Sequence, residues 1–514
     1  MATTTKDDAS AVELEDITSQ PQATLHYDTK IAPADGDDAL AFLQTHHEEY
    51  SKEEERRVMR KVDIRMVLLM LIINGIQFID KNTLSNAGTY GIATQANLKG
   101  QDFSLLVTIF YIGYLIAQYP VNLLMQRYPV GKFLTVNFVL WGATLAATGS
   151  AKNFHSLAAA RFFLGVFESC LNPGFVLVTS SWWKREEQPA RVGLWYSANG
   201  IIGAPSGVIF WAIAHIDVDG MFAYQWMFII FGGFTVVFGI SLWWLLPDSP
   251  LTASFLTERE RYIVVHRLSS NKTGVKNTHM KKDQIVETLL DGRIWLLIFA
   301  MFAHNLTNSL QTTFMGIIIK GFGYSTYQAV LLNIPPSIIM AVTMIIVSIT
   351  LSTKWGEGKR IFFIILCYIP GLVSTAMLFA LPFNAGTKTA HLGAIFIVPM
   401  VASSAGIMYS LLASNVAGYS KKVLAGALFF SSNCVSNIVS PQVFLTREAP
   451  YYHTGITVCM AAFAVNIAVF GLLYVLYARE NKARDADSAG IEEDLVNAFS
   501  DLTDRQNKTM RYKL

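Results

Sequence analysis

The sequence predicts an all-α membrane protein, with about twelve transmembrane helices in two pseudo-symmetric halves of six. Three observations carry this. Hydrophobic residues make up 52% of the 514 residues and charged residues 15%, where soluble domains carry about 25% charge. Such a chain cannot cover itself with polar surface in water and needs the bilayer as its solvent. Twelve apolar stretches near the ~20-residue length that crosses ~30 Å of hydrocarbon alternate with polar breaks. One long polar loop, 247–291, divides them into two sets of six.

In chain order, residues 1–60 are rich in Asp, Glu and Thr and read as a disordered cytosolic tail, with a short charged helix near Ser51–Lys61. No apolar region follows Met1, so no signal peptide is expected. The first half, 61–246, holds spans at 62–80, 103–124, 133–150, 157–180, 192–213 and 224–246. The cytosolic central loop, 247–291, leads to the second half, 292–478. Its spans are 292–315, 325–350, 361–380, 391–412, 423–442 and 455–478, and a cytosolic C-terminal tail, 479–514, follows. Lys and Arg set the orientation. Lys52, Arg56, Arg57, Arg60, Lys61 and Arg65 precede the first span, and Arg127, Lys132, Lys184, Arg185, Arg191, Lys359, Arg360, Lys421 and Lys422 fill breaks on the same side. Opposite breaks carry only Lys99, Lys152, Lys320, Lys388 and Arg447. Both termini and the loop are therefore expected in the cytosol.

Other classes lose support. A net charge of +2 without a basic domain gives no footprint for nucleic acid. Cys170, Cys367, Cys434 and Cys459 lie in apolar stretches without CxxC or zinc-like spacing and read as small hydrophobes, so neither disulfide framework nor metal site is expected. The chain has no GxxxxGK[ST], HExxH or GxSxG, which argues against an ATP-driven pump, a protease or a lipase, and no cofactor is expected. The Asn-x-Ser/Thr sites at Asn271, Asn305 and Asn507 fall in cytosolic or membrane segments, so glycosylation is not expected.

Charges inside spans cost at least ~2.5 kcal/mol at the bilayer centre unless paired or wet. Asp80 and Lys81 fall at the outer end of the first span, where they read either as a helix-end pair among headgroups or as part of a site. Arg161 and Glu168 lie seven residues apart on the fourth span, which is ~700° of turn and ~10.5 Å of rise, so they share a face. That face looks into the bundle, as a structural ion-pair network or as a substrate pathway in which Glu168 exchanges a proton. Asn415, near the end of the tenth span, offers a donor and an acceptor to a carboxylate or amide, or to a neighbouring helix. Tyr111, Tyr114 and Gln118 form one stripe on the second span, and His304, Asn305, Asn308 and Gln311 make the seventh unusually polar. Each stripe reads as cavity lining or as helix packing. Gly200, Gly203 and Gly207 have the spacing that lets helices approach closely. Pro173-Gly174 and Pro335-Pro336 read as bends. The run from Lys184 to Arg191 reads as a salt-bridge gate or as a plain orientation signal.

Several motifs occur together and in order: FIDKNTLSNA (78–87), ARFFLGVFESCLNPG (160–174), SWWKREEQPAR (181–191), LPDSP (246–250), FLTERER (255–261), LLNIPP (331–336), SNVAGYSKK (414–422) and NIVSPQVF with APYYHTG (437–455). The chain resembles the anion:cation symporter branch of the major facilitator superfamily, specifically the fungal allantoate-permease-like transporters. The resemblance implies the major facilitator fold and proton-coupled uptake of a small organic anion or vitamin-like carboxylate. Relatives carry allantoate, nicotinate, pantothenate, biotin, cysteine or dicarboxylic acids. It places an Asp–Arg pair where Asp80 and Lys81 stand, and an Arg and a Glu at the places of Arg161 and Glu168. Because the second member of the first pair is Lys, a point charge replaces a guanidinium fork. The residues and the resemblance together give Lys81, Arg161, Asn415, Tyr114, Gln118 and His304 as substrate candidates, and Asp80 and Glu168 as proton candidates. A monomer is expected, in the plasma membrane or an organelle membrane. Export of a fungal metabolite and nutrient sensing with little flux are the other readings.

Overall fold

In hydrocarbon every backbone polar group must be paired within its own segment, and this chain meets that demand with helices. The computed structural model describes residues 42, 50–184, 187–216, 220–269, 281–351, 353, 355–356, 358–382, 384, 386–487, 502–507 and 510–514. Most of the expected tail at 1–60 lies outside the described residues, as does Asn271. Among them, ten helical stretches are long and apolar enough to cross a bilayer. Two further apolar stretches are interrupted helices, which completes the expected twelve.

α1 (Lys52–Val62) starts at Ser51, whose hydroxyl accepts the Glu54 N–H at 3.2 Å, and Glu53, Glu54 and Glu55 occupy the first turn, where the helix dipole favours them. It continues through a wide π turn (Asp63–Val67) into α2 (Leu68–Thr89). The first span therefore runs to Thr89 rather than stopping near residue 80. The polar run after Lys81 looks like a loop in sequence, but its side chains are satisfied inside the helix and across the bundle. Thr83 and Thr89 donate to the carbonyls of Ile79 (3.0 Å) and Ser85 (3.1 Å), and Ser85 donates to the Thr313 carbonyl in the other half (2.9 Å). Asp80 and Lys81 thus belong to the middle of a span, not to the headgroup layer.

The second and third spans are α3 (Asp102–Arg127) and α4 (Val130–Thr148). The fourth divides into α5 (Phe154–Glu168) and α6 (Leu171–Trp182). The break at Ser169–Cys170 falls one turn before Pro173, which has no N–H to return to the Ser169 carbonyl. The fifth is α7 (Gln188–Tyr196) and α8 (Ala198–Ile213), interrupted at Ser197, and the sixth is α9 (Ala223–Leu245). The loop carries α10 (Glu258–Ser269) and α11 (Lys282–Leu290). In the second half, α12 (Gly292–Leu306), a π turn (Leu310–Phe314) and α13 (Met315–Gly321) make the seventh span. The eighth, α14 (Thr326–Leu331) and α15 (Ile334–Leu351), breaks just before Pro335-Pro336. The ninth is α16 (Arg360–Ala380). The tenth joins α17 (Lys388–Ile397) to α18 (Ser403–Asn415) through a 3-10 turn containing Pro399. α19 (Tyr419–Val439) and α20 (His453–Asp487) complete the chain of spans.

Side-chain hydrogen bonds between helices replace the hydrophobic driving force that lipid removes. Ser432 and Ser436 on α19, and Ser440 in the 3-10 turn that follows it, donate to the carbonyls of Ile298, Phe302 and Leu306 on α12, one bond per turn. The glycine stripe of α8 rides on α15 as its spacing predicts. A Cβ on Gly200 would lie 2.6 Å from the Ala341 Cβ, and Gly203 and Gly207 face Ser337 and Ile334. The halves are joined at the face opposite the loop. Thr108 donates to the Ile438 carbonyl (2.8 Å) and accepts from Gln442 (2.8 Å), while Lys320 donates to the Thr89 carbonyl (3.1 Å).

On the loop face each half is tied to itself. Arg259 pairs with Glu54 (2.6 Å) and Lys61 with Glu260 (2.7 Å), which fasten α10 to α1. Arg267 reaches both Glu55 and Glu187, and Arg191 meets Asp63 at 2.9 Å. Burial pushes the Glu187 carboxyl up, but the hydrogen bond and charge of Arg267 outweigh this and hold it below the usual range. The expected gate run thus pairs with Glu55 on α1, Asp63 and Arg267 on α10, not with the second half; Arg185 and Glu186 lie outside the described residues. In the second half the terminal segment is strapped down. Tyr512 stacks on Tyr477 with centroids 4.9 Å apart, with the guanidinium groups of Arg484 and Arg293 at 4.6 and 4.8 Å from its ring. Lys421, fully buried, meets Glu287 (2.8 Å), Asp291 (2.9 Å) and Asp504 (2.7 Å).

Candidate functional site

A central cavity of about 300 Å³ lies between the halves. Its wall is dominated by amides and aromatic rings, and Lys81 is the one Lys or Arg among the described lining residues, which include no Asp or Glu. The first half supplies Gln77 and Lys81 from α2, Tyr111 and Tyr114 from α3, and Asn172 from α6. The second half supplies His304, Asn308 and Gln311 from the interrupted seventh span, and Asn433 and Asn437 from α19. The break at Thr307 lets one span turn polar side chains from both of its parts, His304 to Thr313, to the cavity.

Behind the wall sits a buried ionic cluster. The Lys81 Nζ is 2.8 Å from Glu168 Oε1, which also accepts from Gln77 Nε2 at 2.7 Å. Glu168 is itself only 1% exposed, so Lys81 meets the cavity on one side and a buried carboxylate on the other. Glu168 ends α5 beside the break before Pro173. The span is held close to α3 because Gly113 and Gly165 leave no room for a Cβ against the Phe162 and Phe110 carbonyls. Asp80 points ~100° away from Lys81 around the helix, toward α9, where Thr235 donates to its Oδ2 at 3.3 Å. Arg161 is 4% exposed, with its guanidinium 5.6 Å from the Phe228 ring centroid. Asp80 Oδ1, Glu168 Oε2 and Arg161 Nε and Nη2 have no hydrogen-bond partner among the described residues. Two cations and two anions share this pocket of protein. Their formal charges cancel, so a proton added here leaves one positive charge for an anion at Lys81 to offset.

Of the residues singled out in the sequence, Lys81, Tyr111, Tyr114, His304, Asn305, Asn308 and Gln311 line the cavity. Tyr114 accepts from Asn172 Nδ2 at 3.3 Å, and His304 Nδ1 lies 2.8 Å from the Tyr368 hydroxyl. Asp80, Arg161 and Glu168 form the layer behind it. Gln118 and Asn415 are not among the lining residues. Asn415 instead exchanges two hydrogen bonds with the Lys513 backbone, at 2.9 and 2.8 Å. Sequence reasoning missed Gln77, Asn172, Asn433 and Asn437. Gln77 stands four residues before Lys81 and Asn433 four before Asn437, the helical spacing that would have found them.

The sequence profile of the Major Facilitator Superfamily matches residues 70–441. The chain is 31% identical to the allantoate permease of Saccharomyces cerevisiae over 523 aligned residues, covering 98% of this chain and 95% of that one. It is 29% identical to the thiamine pathway transporter THI73 of the same yeast, covering 90% and 87%, and 33% identical to an uncharacterized transporter of Schizosaccharomyces pombe, covering 94% and 90%. Among solved structures, a D-xylose–proton symporter aligns with a TM-score of 0.61 at 12% identity, over 80% of this chain and 97% of that one. A bacterial homologue of the human lysosomal transporter Spinster aligns with a TM-score of 0.53 at 15% identity, over 83% and 96%.

Proposed function

The chain belongs to the major facilitator superfamily and is a membrane transporter, not an enzyme, and from that premise we propose that it takes up a small organic anion together with a proton. Lys81 carries this reading. One ammonium on an otherwise uncharged, amide-rich wall selects a ligand with one negative charge and several hydrogen-bonding groups. The similarity to allantoate permease supports a carboxylate nutrient as the class.

Coupling follows from the partner behind Lys81. An arriving carboxylate competes with Glu168 for the same ammonium. As Lys81 turns to the substrate, Glu168 stays buried with Gln77 as its hydrogen-bond donor and Arg161 already shared with Asp80, and it takes a proton instead of keeping an uncompensated charge. The loaded site then occludes as a neutral unit. Asp80 and Arg161 hold the field around it, and His304, Tyr114 and the cavity amides orient the rest of the ligand. The similarity to allantoate permease supports a place in the plasma membrane, and the charge asymmetry of the breaks supports both termini and the loop in the cytosol.

The test is uptake profiling of a deletion strain across carboxylate, vitamin and sulfur nutrients, followed by reconstitution with the anion so found. An inward proton gradient is expected to drive accumulation by the native carrier. Glu168→Gln, fixed in the protonated form, is expected to keep exchange and lose accumulation. Proton-driven accumulation by Glu168→Gln would remove this residue from coupling, and uptake confined to neutral or cationic solutes would overturn the anion.

A further inference from the structure

Outside the cavity, a second concave surface opens on the loop face between the first and sixth spans. It is lined by Arg57, Arg60, Lys61 and Arg65 above Ile64, Leu68, Leu69 and Ile72, and is closed by Leu245 and Phe255. The charge accounting there is unequal. Lys61 is taken by Glu260, Glu54 by Arg259, Glu55 by Arg267 and Asp63 by Arg191. Glu54 lies in the field of Arg57, yet Arg259 holds it with two hydrogen bonds, at 2.6 and 3.0 Å. Among the described residues no carboxylate pairs with Arg57, Arg60 or Arg65. The Arg65 guanidinium is instead held 4.7 Å from the Phe255 ring centroid.

Directly below these three groups, Ile64 is 59% and Leu68 53% exposed. From Ile64 to Ile72 the helix rises ~12 Å, so one face passes from guanidinium groups to an apolar strip within a single turn. A guanidinium fork matches a phosphate better than an ammonium does. A free phosphate would use only the upper part of this surface. A molecule with an anionic head joined to an acyl chain uses all of it.

We propose that this groove binds one anionic phospholipid from the leaflet that the loop face meets. Its phosphate rests on Arg57, Arg60 and Arg65, and one acyl chain runs along Ile64, Leu68 and Ile72. The ligated helix is continuous with the one that carries Lys81, so the lipid holds the foot of the substrate-binding span.

The test uses the full-length purified carrier, delipidated and offered phosphatidylserine or phosphatidylcholine, with retained lipid counted by native mass spectrometry. Each basic residue near an anionic surface contributes a factor of about five, so Arg57→Gln/Arg60→Gln/Arg65→Gln is expected to weaken phosphatidylserine retention about a hundredfold. Arg127→Gln/Arg479→Gln/Lys482→Gln, which removes three cations elsewhere on the chain, is expected to keep it. Leu68→Ser is expected to shorten retention, and excess inorganic phosphate is not expected to displace the lipid. The single exposed change Arg60→Gln, read as about a fivefold loss, stands in if the triple variant fails to fold. Equal retention of phosphatidylcholine, or of phosphatidylserine by the groove variants, would overturn the site. Displacement by inorganic phosphate with no effect of Leu68→Ser would replace it with a soluble-phosphate site.

Discussion

Lys81 and Arg161 are both cations in the first half, and their burial separates their roles. Lys81 lines the cavity, so its loss removes a charge-assisted contact worth about 1.5–3 kcal/mol. Lys81→Gln is expected to raise KM for the anion by about ten- to a hundredfold in concentration-dependent uptake, while Lys81→Arg keeps it within a few-fold. An unchanged KM in the glutamine variant would place the anion elsewhere. Arg161 is buried behind the wall with Asp80 and Glu168. Removing one member of a buried charge group costs about 3–5 kcal/mol, so Arg161→Ala is expected to lower the thermal midpoint of the purified carrier and its maximal rate, with KM much less affected. A KM effect alone would move the guanidinium to the wall. The shared face of Arg161 and Glu168 was legible because a charge in hydrocarbon needs a reason and a seven-residue spacing gives one. Asn415 was not legible as a tether, because its partner Lys513 is 98 positions away and no local pattern records it. Gln118 extends a real stripe beyond the part of α3 that meets the cavity.

Helices break and cross where small or restricted residues allow it. Gly200 packs on Ala341, so Gly200→Leu is expected to push α8 from α15 and reduce transport to near background, while Gly193→Leu, with no atom within 4 Å of its added Cβ, is tolerated. Equal transport by both would mean that the crossing has slack. The strap on the second half depends on Lys421, whose loss leaves Glu287, Asp291 and Asp504 crowded together. Lys421→Met is expected to destabilise the carrier by about 3–5 kcal/mol, read from its thermal midpoint. Burial pushes the Asp291 carboxyl up, but the hydrogen bond from Lys421 and the charge of Arg293 hold it below the ordinary carboxylate range. A lowered carboxylate adds stability above its unfolded pKa of about 3.9 and loses it as the pH falls through the folded value. Hydrogen-exchange protection in 502–507, corrected for the intrinsic rate at each pH, should therefore stay high from about pH 5 upward and fall only in stronger acid. Fast exchange at neutral pH would deny the strap. Apolar length revealed the spans and proline their bends. The far end of the first span was hidden because its polar residues are satisfied across the bundle.

Across the whole molecule the two halves repeat an architecture but not its charge. Spans one and seven each contain a π turn, at Asp63–Val67 and Leu310–Phe314, and spans four and ten each break near a proline, Pro173 and Pro399. Where the first half has its ionic cluster, the second places His304, Tyr368 and Ser404 in neutral hydrogen-bond contact. The joint opposite the loop face is the part that must open for the cavity to reach that side. A short thiol cross-link between cysteines introduced at Thr108 and Gln442 is expected to stop transport, while a cysteine at Asn433 stays reactive from the loop side. Three native cysteines lie buried away from the cavity and Cys434 lines it, so the labelling is done on a Cys434→Ser background. Undiminished transport by the linked carrier would mean that this joint never separates. The six-and-six division and the polar seventh span were readable from spacing. The closed face was not, because it depends on pairs such as Thr108 and Gln442 that lie 334 positions apart.

The even balance of Asp80, Lys81, Arg161 and Glu168 has an electrical consequence. Carrying one elementary charge through the membrane field costs about 2.3 kcal/mol per 100 mV. Because the four formal charges cancel and all ride on the same half, the empty carrier swings between its two faces without doing work against voltage. One monovalent anion with one proton adds nothing to that sum, whereas a second proton adds a whole charge. Current recorded during uptake therefore counts protons: silence at every holding potential means one per anion, and an inward current that grows with negative potential means more than one.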